Sequence, residues 1–332
     1  MNSSIIRYVL GQVLKIEGIL MLLPCLVALI YQESVGFYYL VTALLCMTLG
    51  FLMTFKKPSD FVFYLKEGCV TTTLSWALMS FFGAIPFWAS GEIPSLTDAL
   101  FETVSGFTTT GASILSDVEA LSHCSLMWRS FTHWIGGMGV LVFLLAVIPM
   151  TGGSHMNLMR AESPGPSVGK LVPKIKSTAR ILYLIYFGLT VIQCILLLCG
   201  GMTLFDSLAT SFGTAGTGGF GIKNDSIGGY SPYIQWVVTI FMILFGVNFN
   251  AYYLILFHQF KKAISMEEVR YYFLVILASI AIICVDIRNY YESFSEVLRH
   301  AAFQVGSLIT TTGRGGMATK EKYTHHMCMT DR

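Results

Sequence analysis

Long apolar stretches alternate with short polar ones along most of the chain. Seven are long enough to cross a hydrocarbon core of about 30 Å, which takes roughly 17–25 helical residues. They lie near Ile16–Tyr31 (extending toward Val13), Val35–Phe55, Cys69–Ser90, Leu126–Met150, Ile181–Met202, Tyr233–Phe257 and Val269–Val285. No small-residue cleavage site follows the first run and a second run comes at once, so no cleavable signal peptide is expected. Three further stretches, Leu96–Gly106, Leu204–Gly213 and Phe294–Leu308, are too short or too polar to span. They read as half-helices entering the membrane from outside, a geometry tolerated only where the backbone is buried in protein or lines water.

After the first two spans the pattern repeats: apolar helix, half-helix, Thr/Gly-rich turn, apolar helix. The turns read Phe107-Thr108-Thr109-Thr110-Gly111-Ala112-Ser113, then Thr214-Ala215-Gly216-Thr217-Gly218-Gly219-Phe220-Gly221, then Ile309-Thr310-Thr311-Thr312-Gly313. Taking Gly111, Gly219 and Gly313 as equivalent gives periods of 108 and 94 residues. Asp98 and Asp206 each sit thirteen residues before their glycine, and Phe101, Ala209 and Phe303 each sit ten before.

Composition fixes the solvent. Of 332 residues, 54% are hydrophobic and 12% charged, with mean hydropathy +0.66. A soluble domain carries about 25% charge, so the chain reads as a polytopic membrane protein. Disorder, collagen-like repeats and a nucleic-acid-binding domain are excluded. With the N-terminus cytoplasmic, thirteen of the 21 Lys+Arg fall on inner segments and thirteen of the 19 Asp+Glu on outer ones. That is the distribution of an inner-membrane protein, with an outer vestibule that attracts cations. Cys25, Cys46, Cys69, Cys194, Cys199 and Cys284 lie in or beside apolar runs without C-x-x-C spacing, and read as small apolar fillers.

A turn of small residues leaves backbone carbonyls free. Several such turns converging on one axis make rings of oxygen dipoles that can replace the hydration shell of a monovalent cation. Glycine permits positive φ, which lets successive carbonyls face one way. Threonine adds an uncharged oxygen, and a half-helix pointing its C-terminus inward adds partial negative charge. A phosphate-binding loop at Thr214–Gly221 is a poorer reading, because no Lys-Ser or Lys-Thr follows at the required spacing and no strand precedes it.

The residues Ser105-Gly106-Phe107-Thr108-Thr109-Thr110-Gly111, His133-Trp134-Ile135-Gly136-Gly137-Met138-Gly139, Ala161-Glu162-Ser163-Pro164-Gly165-Pro166, Gly246-Val247-Asn248-Phe249 and Phe303–Gly313 resemble the Trk/Ktr/HKT superfamily of potassium transporters. The likeness is strongest to the bacterial Trk H-type potassium uptake membrane subunits, over about residues 10–313. The resemblance implies an all-α polytopic membrane protein of repeated helix–pore-loop–helix units around one pseudo-fourfold pore, as in potassium channels, with two extra N-terminal transmembrane helices. It implies potassium uptake through a filter carried here by Thr109, Thr110 and Gly111, by Thr217, Gly218 and Gly219, and by Thr311, Thr312 and Gly313. It implies a homodimer in the bacterial inner membrane. It implies gating by a cytosolic nucleotide-binding regulatory subunit of Trk A type, and no cofactor in the chain beyond potassium as substrate. The corresponding division is a two-helix unit at 1–68, a first repeat at 69–150, a cytoplasmic linker at 151–180, a second repeat at 181–260, an incomplete third at 261–313 and an atypical polar tail at 314–332.

The pattern departs from the family after Gly313. The family continues with an aromatic residue and another span; here Arg314-Gly315-Gly316-Met317 leads into a polar end from Lys320 to Arg332. The expectation is a truncated reading frame, with a non-conducting fragment as the alternative function. Arg314 beside the filter opposes a cation through a low-dielectric path. Arg129 and His133 read mainly as packed residues of the fourth span. Gly136, Gly137 and Gly139 read as a close-packing surface. Asn248 and Asn250 read as residues holding the sixth span near the pore. The inner loop Thr151–Ala179 suits a cytosolic regulator or anionic headgroups equally. His325, His326 and Cys328 have poor metal spacing. An intramembrane enzyme lacks any facing Ser/His or carboxylate pair at depth.

Overall fold

The computed structural model describes residues 2–58, 65–137, 139 and 175–315, and all regular secondary structure among them is helical. The chain divides into two compact units.

The first unit comprises Met1–Thr108, Ala112–Ser116 and Ala120–Leu184. It contains α1 (Ser3–Leu20), α2 (Leu22–Tyr31), α3 (Gly36–Thr54), α4 (Leu65–Ala89), α5 (Leu96–Phe107) and α6 (His123–Gly137). Helix α1 lies along α3 and α4, α2 packs on α3 and α6, and α5 is held between α4 and α6. Ile5, Ile6, Val9, Leu10, Val13 and Leu14 form the buried stripe of α1, spaced at the three- and four-residue intervals of one helix face.

The second unit comprises Thr109–Gly111, Asp117–Glu119 and Ile185–Arg332. Helix α7 (Ile175–Cys199) leads into it. It contains α8 (Leu204–Ala215), α9 (Pro232–Phe245), α10 (Phe249–Leu256), α11 (Phe260–Ile264), α12 (Glu267–Ile287), a 3-10 turn at Arg288–Tyr290, and α13 (Phe294–Ile309). Helix α13 packs on α9 and α12, and α8 on α9. Leu274, Leu277, Ile282 and Val285 of α12 are uncovered. Such a face is a liability in water and ordinary against lipid, whose tails are as apolar as leucine.

Five helices are long and apolar enough to cross a membrane among the described residues, or six if the bent pair α9 and α10 is one span. Three of the predicted spans need correction. The first apolar crossing runs Ser3–Tyr31 rather than from Val13. Its polar residues are absorbed, with Glu17 wholly buried and Lys15 reaching over the Phe51 ring at 4.3 Å. The fourth helix stops at Gly137. Gly139 takes φ +71°, its amide donates to Gly136 O at 2.9 Å and its carbonyl accepts the Tyr183 hydroxyl at 2.9 Å, a turn just past the end of the helix. The rest of that predicted span, the inner loop with Glu162–Pro166, and the tail beyond Gly315 with His325, His326 and Cys328, lie outside the described residues.

The sixth span is not continuous: α9 and α10 meet at 90°. Gly246 and Val247 close the first half with turn-type bonds to Met242 and Leu244 carbonyls, and Asn248 caps the second by accepting from Asn250 N at 2.9 Å. The asparagine thus restarts a helix at a break. Two carbonyls near the break are taken up by tyrosines: Tyr252 donates to Leu244 O at 2.6 Å and Tyr272 to Ile243 O at 2.9 Å.

Candidate functional site

The three half-helices form where the sequence repeat places them, at Leu96–Phe107, Leu204–Ala215 and Phe294–Ile309. Each starts on a hydroxyl cap, which satisfies an amide otherwise left without a helical partner. Ser95 accepts from Asp98 N, Thr203 from Asp206 N at 3.1 Å, and Ser293 from Ser295 N. Asp98, Asp206 and Glu296 add negative charge to the first turn, where the helix dipole favours it. The opposite, partly negative ends run into the Thr/Gly turns.

The second residue past each helix is a threonine with positive φ: Thr109 (+54°), Thr217 (+51°) and Thr311 (+58°). Two residues on, the aligned glycine is positive again: Gly111 (+75°), Gly219 (+78°) and Gly313 (+68°). A β-branched residue rarely adopts this region. Its recurrence at one position of three loops is therefore imposed by the loop and not by local preference. Positive φ at alternate positions is the backbone pattern that can turn carbonyls to one side, as a ring of cation-binding oxygens needs.

Hydrogen bonds fix the same shape. Gly219 N donates to Gly213 O at 3.2 Å and Gly313 N to Ser307 O at 3.1 Å, each reaching back six residues into its own half-helix. Thr108 and Thr310 hydroxyls donate back to Val104 and Gly306 carbonyls. In the second loop that position is Gly216, which has no hydroxyl.

Within the second unit the loops meet in order. A Cβ on Gly111 would overlap the Gly218 carbonyl oxygen, and a Cβ on Gly219 would overlap the Thr312 carbonyl oxygen. Each glycine thus sits against the carbonyl one residue before the aligned glycine of the next loop. Among the described residues, nothing lies within 4 Å of a Cβ built on Gly313. Gly218 and Thr312 are buried, Thr109, Gly111, Thr217 and Gly219 are partly buried, and Thr110, Thr311 and Gly313 are exposed. The nine residues picked out by the repeat are thus brought together in one unit. Asn224 ties the segments beyond the first two loops, donating to Asp117 Oδ1 at 2.8 Å and accepting from Val118 N at 2.8 Å.

Several supporting residues carry no sequence signal. Glu102 of α5 accepts from Arg129 Nε at 2.5 Å, from Ser113 Oγ at 3.0 Å and from Ile114 N at 3.2 Å. Arg129, read as a packing residue, is thus half of a buried ion pair. Tyr230, on the loop before α9, donates to Asp206 Oδ2 at 3.1 Å. Burial and then the nearby carboxylate push its phenol well above the usual range, so it stays a donor. Among the described residues, no group of three His, Cys, Asp or Glu could hold a metal ion; the loops offer neutral oxygens instead.

The sequence profile described as TrkH, cation transport protein, matches residues 37–291. The chain is 34% identical over 321 residues to a Trk system potassium uptake protein TrkH of Salmonella typhimurium, covering 94% of this chain and 66% of that protein. It is 30% identical over 310 residues to an uncharacterised cation transporter of Methanocaldococcus jannaschii, covering 93% and 62%. The crystal structure of the potassium transporter TrkH from Vibrio parahaemolyticus matches with TM-score 0.81 at 27% identity, covering 95% of this chain and 66% of that one. The chain therefore spans just under two thirds of the length of these relatives.

Proposed function

This chain belongs to the TrkH family of cation transport proteins, and we propose that it serves potassium uptake through a channel-like pore. The filter in this reading is Thr109–Gly111, Thr217–Gly219 and Thr311–Gly313. The observation that carries it is the shared positive φ at Thr109, Thr217, Thr311 and at the three aligned glycines. Relatives named as potassium uptake proteins support the choice of ion. In the same reading the N-terminus is cytoplasmic, the chain works as a homodimer, and a cytosolic nucleotide-binding subunit of Trk A type gates it. A second reading, a membrane subunit that does not conduct, is favoured by buried Arg314 beside the filter.

The test is rubidium flux into proteoliposomes holding the purified chain, with rescue of potassium-limited growth as the cellular readout. The proposal expects flux in the parent, and loss of potassium over sodium preference in Gly111→Ser and Gly219→Ser. Flux with unchanged preference in both variants would remove these loops as the filter. No flux in the parent would favour the second reading.

A further inference from the structure

Arg314 follows the last filter glycine directly, yet its side chain does not point to water. The residue is 2% exposed. Its Nη2 donates to Thr210 O at 3.0 Å and to Phe220 O at 3.4 Å, carbonyls that flank the second pore loop. The same nitrogen lies 2.7 Å from where a Cβ on Gly213 would stand, so the guanidinium rests on the backbone of α8. Its own carbonyl accepts from Ser307 Oγ at 2.9 Å, which ties it to α13. Arg314 thus links the second and third loops from behind.

Among the described residues its charge has no carboxylate partner, and its Nε and Nη1 have no hydrogen-bond partner there. Arg129, by contrast, is balanced by Glu102 at 2.5 Å. An arginine stays protonated at any working pH. Two unit charges about 10 Å apart across an effective dielectric of about 20 repel enough to change an affinity roughly tenfold.

The geometry points to Arg314 as a specificity-determining residue: a tethered resident cation, held on the carbonyls behind the second loop, that weakens cation binding in the filter and does so more for divalent than for monovalent ions. This rests on the reading of the three loops as a cation filter. Repulsion scales with the charge of the incoming ion, so the free-energy penalty for barium is twice that for rubidium. A lysine at 314 keeps the charge but not the planar two-acceptor contact.

The experiment is calorimetric titration of the purified full chain in lipid nanodiscs with rubidium chloride and with barium chloride. Arg314→Gln is expected to bind rubidium about tenfold more tightly than the parent and barium about a hundredfold more tightly, with Arg314→Lys between the two and nearer the parent. Ser226→Asp provides a second variant with the arginine in place. The Ser226 Cβ lies 3.8 Å from where a Cβ on Gly315 would stand, and Ser226 already has φ +57°, which aspartate tolerates better than most residues. It is expected to shift both affinities in the same direction. Equal or weaker binding in Arg314→Gln and Ser226→Asp, with the parent binding rubidium, overturns the role of Arg314 and leaves the filter standing. A gain for rubidium with no larger gain for barium overturns it as well. No binding of either ion by any of the variants overturns both this role and the filter.

Discussion

Glu102 and Arg129 meet at 2.5 Å with the carboxylate side chain fully enclosed and the guanidinium side chain 3% exposed. The same carboxylate also holds Ser113 and Ile114, on the segment that follows Gly111 in sequence. It therefore sets where the chain goes after it leaves the loop. Removing one partner of such a pair leaves a buried charge uncompensated and costs about 3–5 kcal/mol. Arg129→Met and Glu102→Met are each expected to destabilise by that amount in thermal unfolding of the detergent-solubilised chain. The double variant should cost less than the sum of the two, because it buries no lone charge. Additive losses would mean that the two groups do not act as a pair.

The three aligned glycines should not tolerate alanine equally. At Gly111 and Gly219 an added methyl meets a neighbouring loop's carbonyl oxygen, and at Gly313 it meets nothing among the described residues. Gly313→Ala therefore carries only the left-handed backbone strain, roughly 1–2 kcal/mol, whereas the other two must also push a loop aside. Rubidium should raise the melting temperature of the parent and of Gly313→Ala, and should raise it much less in Gly111→Ala and Gly219→Ala. Equal responses from all three would show that the loops do not pack in the order described.

The half-helices and their glycines were legible because the same composition recurs three times in register. The capping hydroxyls Ser95, Thr203 and Ser293 stand at the start of each half-helix, and the C-terminal ends follow from the Thr/Gly runs. The left-handed threonines were not legible, since a β-branched side chain argues against that backbone region. Glu102 was also hidden: its partner lies 27 residues away and no periodicity connects them. The bend between α9 and α10 escaped for a third reason. Hydropathy sees that Tyr233–Phe257 is apolar and is blind to a change of direction within it.

Glu33 closes the start of α6 from a distant loop. Its Oε1 accepts from His123 N and Nδ1 and its Oε2 from Cys124 N, all at 2.9 Å. A carboxylate at a helix N-terminus gains from both the free amides and the dipole, about 1–2 kcal/mol together. Glu33→Ala should lose that much in thermal unfolding, and Glu33→Gln, which keeps acceptor oxygen but not charge, should lose less. His123→Ala should cost least, because its side chain is 46% exposed and its loss leaves Glu33 bonded to the two backbone amides. A larger loss from His123→Ala than from Glu33→Ala would reverse the roles assigned to them.

The break between α9 and α10 is held by side chains that take the place of missing helical bonds. Tyr272 covers the Ile243 carbonyl, and Tyr252 reinforces the Leu244 carbonyl, which also accepts from Val247 N. Asn248 caps α10 and donates to Glu268 Oε2 at 2.6 Å. A buried carbonyl left without a donor costs about 1–3 kcal/mol, and a continuous helix would satisfy it without any side chain. Removing the three donors and the cap in Asn248→Ala/Tyr252→Phe/Tyr272→Phe should therefore favour straightening. Spin labels placed on the exposed residues Ile240 and Leu256 read the bend directly, because opening an angle of 90° between two rods lengthens the distance between points on them. The triple variant should shift the distance distribution to longer values, with single Tyr272→Phe giving a partial shift or broadening. An unchanged distribution in the triple variant would mean that Gly246 and the surrounding packing hold the bend alone.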